Sequence, residues 1–240
     1  IAPISIASFS ASAFGEYFFG NAPALFELSQ QVPPLNEVLP ILILLGPAFA
    51  IVAVCFMIAL RKANNFAAQN ERQRTFLPFI AALICGSVGV FLPEILGLGI
   101  GAINDLIAGN ISLIKVSMLL IAKISMTALC IGFGLFGGIF SPALFIGVSA
   151  GSLAAGFFTA IGYPDLAQVI IISGMAAVAA SVIGAPITSV LIVLELTGSY
   201  EYGVAAMVAV IISSLVTYRA FGLSFFDRQL LDRGIDMRLG

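Results

Sequence analysis

Histidine is missing from all 240 residues of this chain. Its absence removes the commonest general base and the commonest metal ligand together. Charge is scarce too: Asp, Glu, Lys and Arg supply 9% of the residues, against roughly 25% in a soluble domain. A net charge of −2, with no basic stripe interleaved with aromatics, speaks against a nucleic-acid partner. Cysteine is limited to Cys55, Cys85 and Cys130, each alone in an apolar segment and without C-x-x-C spacing. They read as small buried hydrophobes, not as disulfide partners or metal ligands. The start, Ile1-Ala2-Pro3-Ile4, has neither an initiator methionine nor a basic n-region. It therefore does not read as a signal peptide, but as the middle of something longer.

What is present in quantity is apolar: 60% of the residues are hydrophobic. Such a chain cannot cover a soluble surface, so lipid is the solvent for most of it, and we expect an all-α protein that crosses the cell membrane several times. Apolar stretches fall at 4–19, 38–60, 76–98, 111–131, 138–161, 166–183, 186–197 and 203–221. The two at 166–183 and 186–197 are short for a full span. Short segments interrupted by Gly and Pro mark broken helices, tolerated at depth only where protein or a water-filled cavity satisfies the backbone. Residues 20–37 read as a loop, with Pro23, Pro33 and Pro34.

Loop charges orient the chain. Arg61, Lys62, Arg72 and Arg74 lie between the second and third stretches, and Arg219, Arg228, Arg233 and Arg238 follow the last one. The positive-inside tendency places both regions in the cytoplasm. The segments 20–37, 94–110, 162–165 and 198–202 carry Glu27, Glu37, Glu94, Asp105, Asp165 and Glu201 but no Lys or Arg, which suits the outer side. The tail after 221 reads as a short amphipathic helix entering the cytoplasm. No repeat is evident within the 240 residues, as one half of an inverted-repeat transporter would show.

The segment that breaks this apolar pattern is "GFGLFGGIFSPALFIG", residues 132–147. Gly132, Gly134, Gly137 and Gly138 permit an unwound backbone, and Pro142 suits the first turn of a new helix because it has no N–H. A helix starting near Ile139 would aim free N–H groups, Ile139 and Phe140 among them, into the membrane interior. Unpaired amides at a positive helix end make an anion site without a charged side chain, and a weakly holding site is what conduction requires. On the residues alone the better-supported reading is that these glycines serve close helix packing, as small-xxx-small faces do.

Resemblance adds to this reading. "GGIFSPALFIG" resembles the GGxFxP motif of the CLC family of chloride channels and chloride/proton antiporters. Residues 174–202, "GMAAVAASVIGAPITSVLIVLELTGSYEY", resemble that family's APLT…ELT-x-x-Y stretch, and "GNAPALF", "LPEILGLGIGAI" (92–103) and the terminal S-x-x-D-x-x-L-x-R also fit, in family order. The resemblance runs end to end and implies the second half of a CLC-type inverted-repeat fold with broken, tilted helices over 1–240. Residues from about 221 to 240 would form the last helix, leading to a cytoplasmic region that is often a CBS pair.

The resemblance further implies that the amides of Ile139 and Phe140 line the central chloride site, with Gly137, Gly138, Ser141 and Pro142 in its loop. No cofactor or metal is implied; chloride is the transported ligand, protons the second species in exchangers. It implies a homodimer in which 4–19, 186–197 and 203–221 supply much of the interface. The family's GSGIP and GREGP motifs are absent here and belong to its first half. The family usually has a Tyr near the start of the last helix, where this chain reads Ser224-Phe225-Phe226. Phe226 keeps the bulk of an inner constriction but cannot donate an O–H bond. The fluoride-exporting branch also lacks this Tyr, which makes fluoride the alternative ion.

Two charges and one pattern complete the candidates. Lys123 sits inside an apolar helix (LLIAKISMTAL), about eight residues, or roughly 12 Å, from either end, too deep to snorkel. A structural pairing and an electrostatic role near the vestibule are both open to it. Glu195 in "VLELTG" is expected to make a structural contact near its helix end. "GVSAG" (147–151) matches the G-x-S-x-G nucleophile pattern only formally, because the pattern needs a preceding strand and a histidine partner; small residues packing helices are the better account. An intramembrane enzyme is disfavoured by the same missing histidine, and a non-transporting scaffold by the broken helices.

Overall fold

The structure, a computed structural model, describes residues 2–19, 26, 28, 33–70, 75–222 and 225–226. Among the described residues it contains no strand. Among the described residues nine α-helices follow one another: α1 (Ala2–Phe19), α2 (Leu35–Gln69), α3 (Leu77–Phe91), α4 (Ile100–Ile107), α5 (Leu113–Gly132), α6 (Phe140–Ala160), α7 (Ala167–Ile183), α8 (Pro186–Thr197) and α9 (Tyr200–Phe221). Among the described residues, five segments are long and apolar enough to cross a membrane: Leu35–Gln69, Leu113–Gly132, Phe140–Ala160, Pro164–Ile183 and Tyr200–Phe221. The chain is accordingly a multi-pass integral membrane protein.

The apolar stretches and the helices coincide with instructive departures. α2 has 35 residues, about 52 Å at 1.5 Å each, so it outruns the ~30 Å hydrocarbon core and carries Arg61 and Lys62 on its final turns. The stretch 76–98 is cut to 15 helical residues in α3, because Pro93 follows Leu92 and closes a single 3-10 turn, Pro93–Ile95. The segment 94–110, expected to be only a connection, contains α4; Ala102, Ile103, Leu106 and Ile107 form its buried face. Cys55 is exposed and Cys85 and Cys130 are half-buried, so the expectation of three buried thiols fails. Cys55 lies on the side of α2 turned away from the buried row Phe49, Ala53, Phe56 and Leu60. Most of the 20–37 loop, Arg72, Arg74, Ser224 and the tail after 226 lie outside the described residues.

α7 is the core. Every residue from Gln168 to Val182 is buried, which explains why its stretch is uniformly apolar rather than amphipathic. α6 crosses it antiparallel at backbone contact: a Cβ at Gly147 would lie 2.6 Å from the Gly174 carbonyl oxygen, and one at Gly151 would lie 2.7 Å from the Ile171 Cα. The GVSAG stretch is thus a packing seam, as its small residues suggest, and the Ser149 hydroxyl donates to its own helix at the Phe145 carbonyl, 2.9 Å away. α9 runs parallel to α7, tied by Tyr202 to Gln168 near one end and by Ser181 to Ser213 (2.8 Å) near the other. α8 folds back antiparallel on α9, where Gly203 admits Leu194. α5 lies along α2, with Gly132 against Ala63 and Asn64. These directions agree with the loop charges: the ends of α5, α7 and α9 fall on the side of Arg61, Lys62 and Arg219.

α1 stands apart, with Ile4, Phe9 and Tyr17 each more than three-quarters exposed. Exposed apolar rows also run along α8 (Ile187, Leu191) and α9 (Met207, Ile211, Leu215). In a membrane such rows face lipid or another protein surface.

Candidate functional site

The helical run that begins at Leu113 ends in a Schellman turn. The Leu135 N–H donates back to the Cys130 carbonyl at 2.9 Å and the Gly134 N–H to the Ile131 carbonyl at 3.2 Å. Gly134 sits at φ +94°, a left-handed backbone that a side chain would resist. Leu135–Gly138 then run without helical hydrogen bonds until α6 opens at Ile139, whose carbonyl accepts the first helical bond from Ala143 at 3.0 Å.

This opening leaves three backbone donors unused. Pro142 has no N–H, and among the described residues nothing accepts from the amides of Ile139, Phe140 or Ser141. No side chain caps the helix, since the N-cap residue is Ile139 itself. A helix start normally has Ser, Thr, Asp or Asn to take up these donors. Here they converge with the positive end of a 21-residue helix, equivalent to roughly half an elementary charge. Chemically, such a place can hold a small anion by N–H donation and release it again, because no full counter-charge is present. Gly137 and Gly138 have open space where a Cβ would be, and neither adopts a positive φ. Phe136, just before them, is fully exposed.

The glycines of the motif therefore divide by role. Gly132 is a packing glycine, for a Cβ there would meet Ala63 at 2.4 Å. Gly134 makes the turn. Gly137 and Gly138 do neither, and they flank the free amides. Beside the turn, a cleft of ≈ 330 Å³ opens between Asn64 and Pro78 on the side of Arg61 and Lys62.

The remaining candidates are placed as follows. Lys123 is buried, at 3% exposure, and its partner is backbone rather than carboxylate: Nζ donates to the Ile95 carbonyl at 2.7 Å and the Gly97 carbonyl at 3.1 Å. The Phe145 ring of α6 covers the same ammonium, 4.7 Å from Nζ to the centroid. Phe145 and the 95–97 turn are the partners of Lys123 that the sequence reading missed; the one available signal was a lysine in a helix without a carboxylate at helical spacing. Glu195 is exposed and makes no polar contact among the described residues, contrary to the expected structural contact. It lies off the row Ser189, Val193 and Thr197 by which α8 packs. Phe225 packs on the core and Phe226 meets it edge-on at 5.8 Å, while Phe226 itself is 43% exposed. No described contact joins Phe226 to the Ile139–Phe140 amides. Glu94, outside the spanning segments, pairs with Lys115 at 2.5 Å; that hydrogen bond above all holds its carboxyl below the usual range, against the opposing effect of burial.

Comparison with known proteins agrees with this architecture. The family model for the voltage gated chloride channel matches residues 1–218. The H(+)/Cl(-) exchange transporter ClcA of Vibrio vulnificus is 32% identical over 219 residues, covering 88% of this chain and 46% of that protein. ClcA of Vibrio campbellii is 31% identical over 217 residues, and ClcA of Salmonella agona 36% identical over 121 residues, 49% of this chain and 25% of that protein. The crystal structure of a slow cyanobacterial Cl−/H+ antiporter superposes with a TM-score of 0.80 at 23% identity, over 89% of this chain and 51% of that one. The chain spans about half the length of the curated relatives it matches.

Proposed function

This chain belongs to the voltage gated chloride channel family, and we propose that it supplies one half of a chloride-translocating site, the anion being held by the free amides of Ile139 and Phe140. The single observation that carries this reading is the uncapped start of α6: unpaired donors behind two glycines that the surrounding packing does not need. A side-chain cation at that point would hold chloride too firmly for turnover, and the nearest buried candidate, Lys123, is spent on backbone carbonyls and a ring instead. Ser141 adds a third donor, and Pro142 starts the helix without competing for the ion.

Exchange against protons is the mode that the names of the relatives support, and no cofactor or metal enters it. The residues that would accept the proton belong to no motif in this chain. A second copy is the partner this reading adds: the exposed rows on α8 and α9, with α1, are the surfaces it would cover. Phe226 at the usual Tyr position favours fluoride as the alternative ion.

The test is flux in liposomes from the full-length protein, with a chloride gradient, no pH gradient and an external pH electrode. Chloride-driven uphill proton movement is the expected result. Fast chloride flux without proton movement would make it a channel; uptake of fluoride in preference to chloride would transfer the site to that ion. Absence of any anion flux from folded protein would overturn the proposal.

A further inference from the structure

An anion site made of amides has no side chain to readjust, so its geometry depends on what holds the helix start in place. α6 is fixed along its middle by Gly147 and Gly151 against α7. Nearer the site it has one further polar fastening. Phe145 lies five residues after Phe140, about 7.5 Å along the axis, and its ring is fully buried. One neighbour of the ring is the Lys123 ammonium. Another is Gly99, where a Cβ would come within 2.8 Å of the ring.

The turn between α3 and α4 completes the arrangement. Gly97 (φ +59°) and Gly99 (φ +69°) are both left-handed, and they bend the chain so that the Ile95 and Gly97 carbonyls reach one ammonium. Two N–H groups of Lys123 go to these carbonyls and the charge faces the Phe145 ring, so the buried cation is balanced without a carboxylate. Lys115, eight residues earlier on α5, grips the same turn through Glu94.

Building on the reading of Ile139 and Phe140 as the anion site, we infer that Lys123 is a positioning residue for it: through the 95–97 turn and Phe145 it sets where the first turn of α6 stands. The charge acts on the ring and the turn, not on the transported ion. Displacing the helix start by a fraction of an ångström would alter each anion differently, because ions of different radius need different amide spacing. A distant charge would change all monovalent anions by one common factor.

That contrast is the test. Lys123→Met and Phe145→Leu are made in the full-length protein, and chloride, bromide and nitrate binding are measured by calorimetry alongside flux in liposomes. Both variants are expected to bind chloride about tenfold more weakly, and to shift the bromide/chloride and nitrate/chloride ratios in the same direction. Phe145→Leu is decisive because it leaves the charge in place. Wild-type affinities and ratios in Phe145→Leu, with Lys123→Met weakening every anion equally, would make Lys123 a remote charge and overturn the inference. So would a lowered melting temperature in both with ratios unchanged. Should Lys123→Met fail to fold, Phe145→Leu alone decides. Gly138→Leu is run beside them: full transport in that variant would refute the anion site itself, whereas its loss with normal Phe145→Leu ratios would refute only the positioning role.

Discussion

The start of α6 and its middle are built on opposite principles. From Gly147 onward the helix is pressed against α7 until backbone touches backbone, and every glycine there is a packing glycine. At Gly137 and Gly138 nothing presses on the backbone: their Cβ positions are empty, and among the described residues the amides of Ile139, Phe140 and Ser141 are unpaired, although the Ile139 side chain is buried in the core. The same residue type, a few turns apart, serves closure in the middle of the helix and access at its start. Composition cannot separate the two uses; only the neighbours can.

The sharpest way to break the comparison is to give both ends a side chain. Gly151→Leu should cost about 3 kcal/mol or more, since the Ile171 backbone cannot move aside, and should yield no monodisperse protein in fluorescence-detected gel filtration. Gly138→Leu should express and melt like wild type while anion flux falls about tenfold or more, the scale of the amide stabilisation it would displace. Unchanged flux there would erase the distinction. Within the closed region, Ser181→Ala removes the partner of the Ser213 hydroxyl, which can still turn to the Ala177 carbonyl 3.4 Å away. A loss of about 1 kcal/mol in thermal stability with transport intact is expected.

The smallest effect concerns the turn behind the site. Glu94 has a lowered carboxyl pKa in the fold, so its contribution to stability is present above the ordinary carboxylate value and is lost as pH falls through the folded value. Lys115 is the charged group facing it. Wild type should therefore melt slightly higher than Glu94→Gln at neutral pH, and the two should converge in acid, below the ordinary carboxylate range. A difference that persists in acid would show that the pair is not what holds this turn.

The membrane setting and the break at 132–142 were legible because each depends on local facts. A chain with 9% charge has no other solvent, and Gly134 followed by Pro142 must end one helix and begin another. The resemblance of residues 137–147 and 174–202 to CLC motifs carried the family. Other features were not legible. Glu195 looked like an intramembrane charge in want of a partner, yet it lies on the unpacked face of α8. α4 was hidden because eight residues with Asp105 and Asn104 among them make too weak a pattern. The partner of Lys123 was out of reach because backbone carbonyls have no letter in a sequence.

By itself, then, the sequence determined the solvent and the place where a helix must stop, and its motif resemblance carried the family. Solvent and helix break follow from composition and the fixed dihedral demands of Gly and Pro, which act over a few residues. Only the tertiary structure decided which glycines touch backbone and which face open space, and that Lys123 of α5 meets Phe145 of α6 across a turn almost thirty residues upstream. Those are contacts between distant segments, set by how close-packed helices settle against one another, and no local rule contains them.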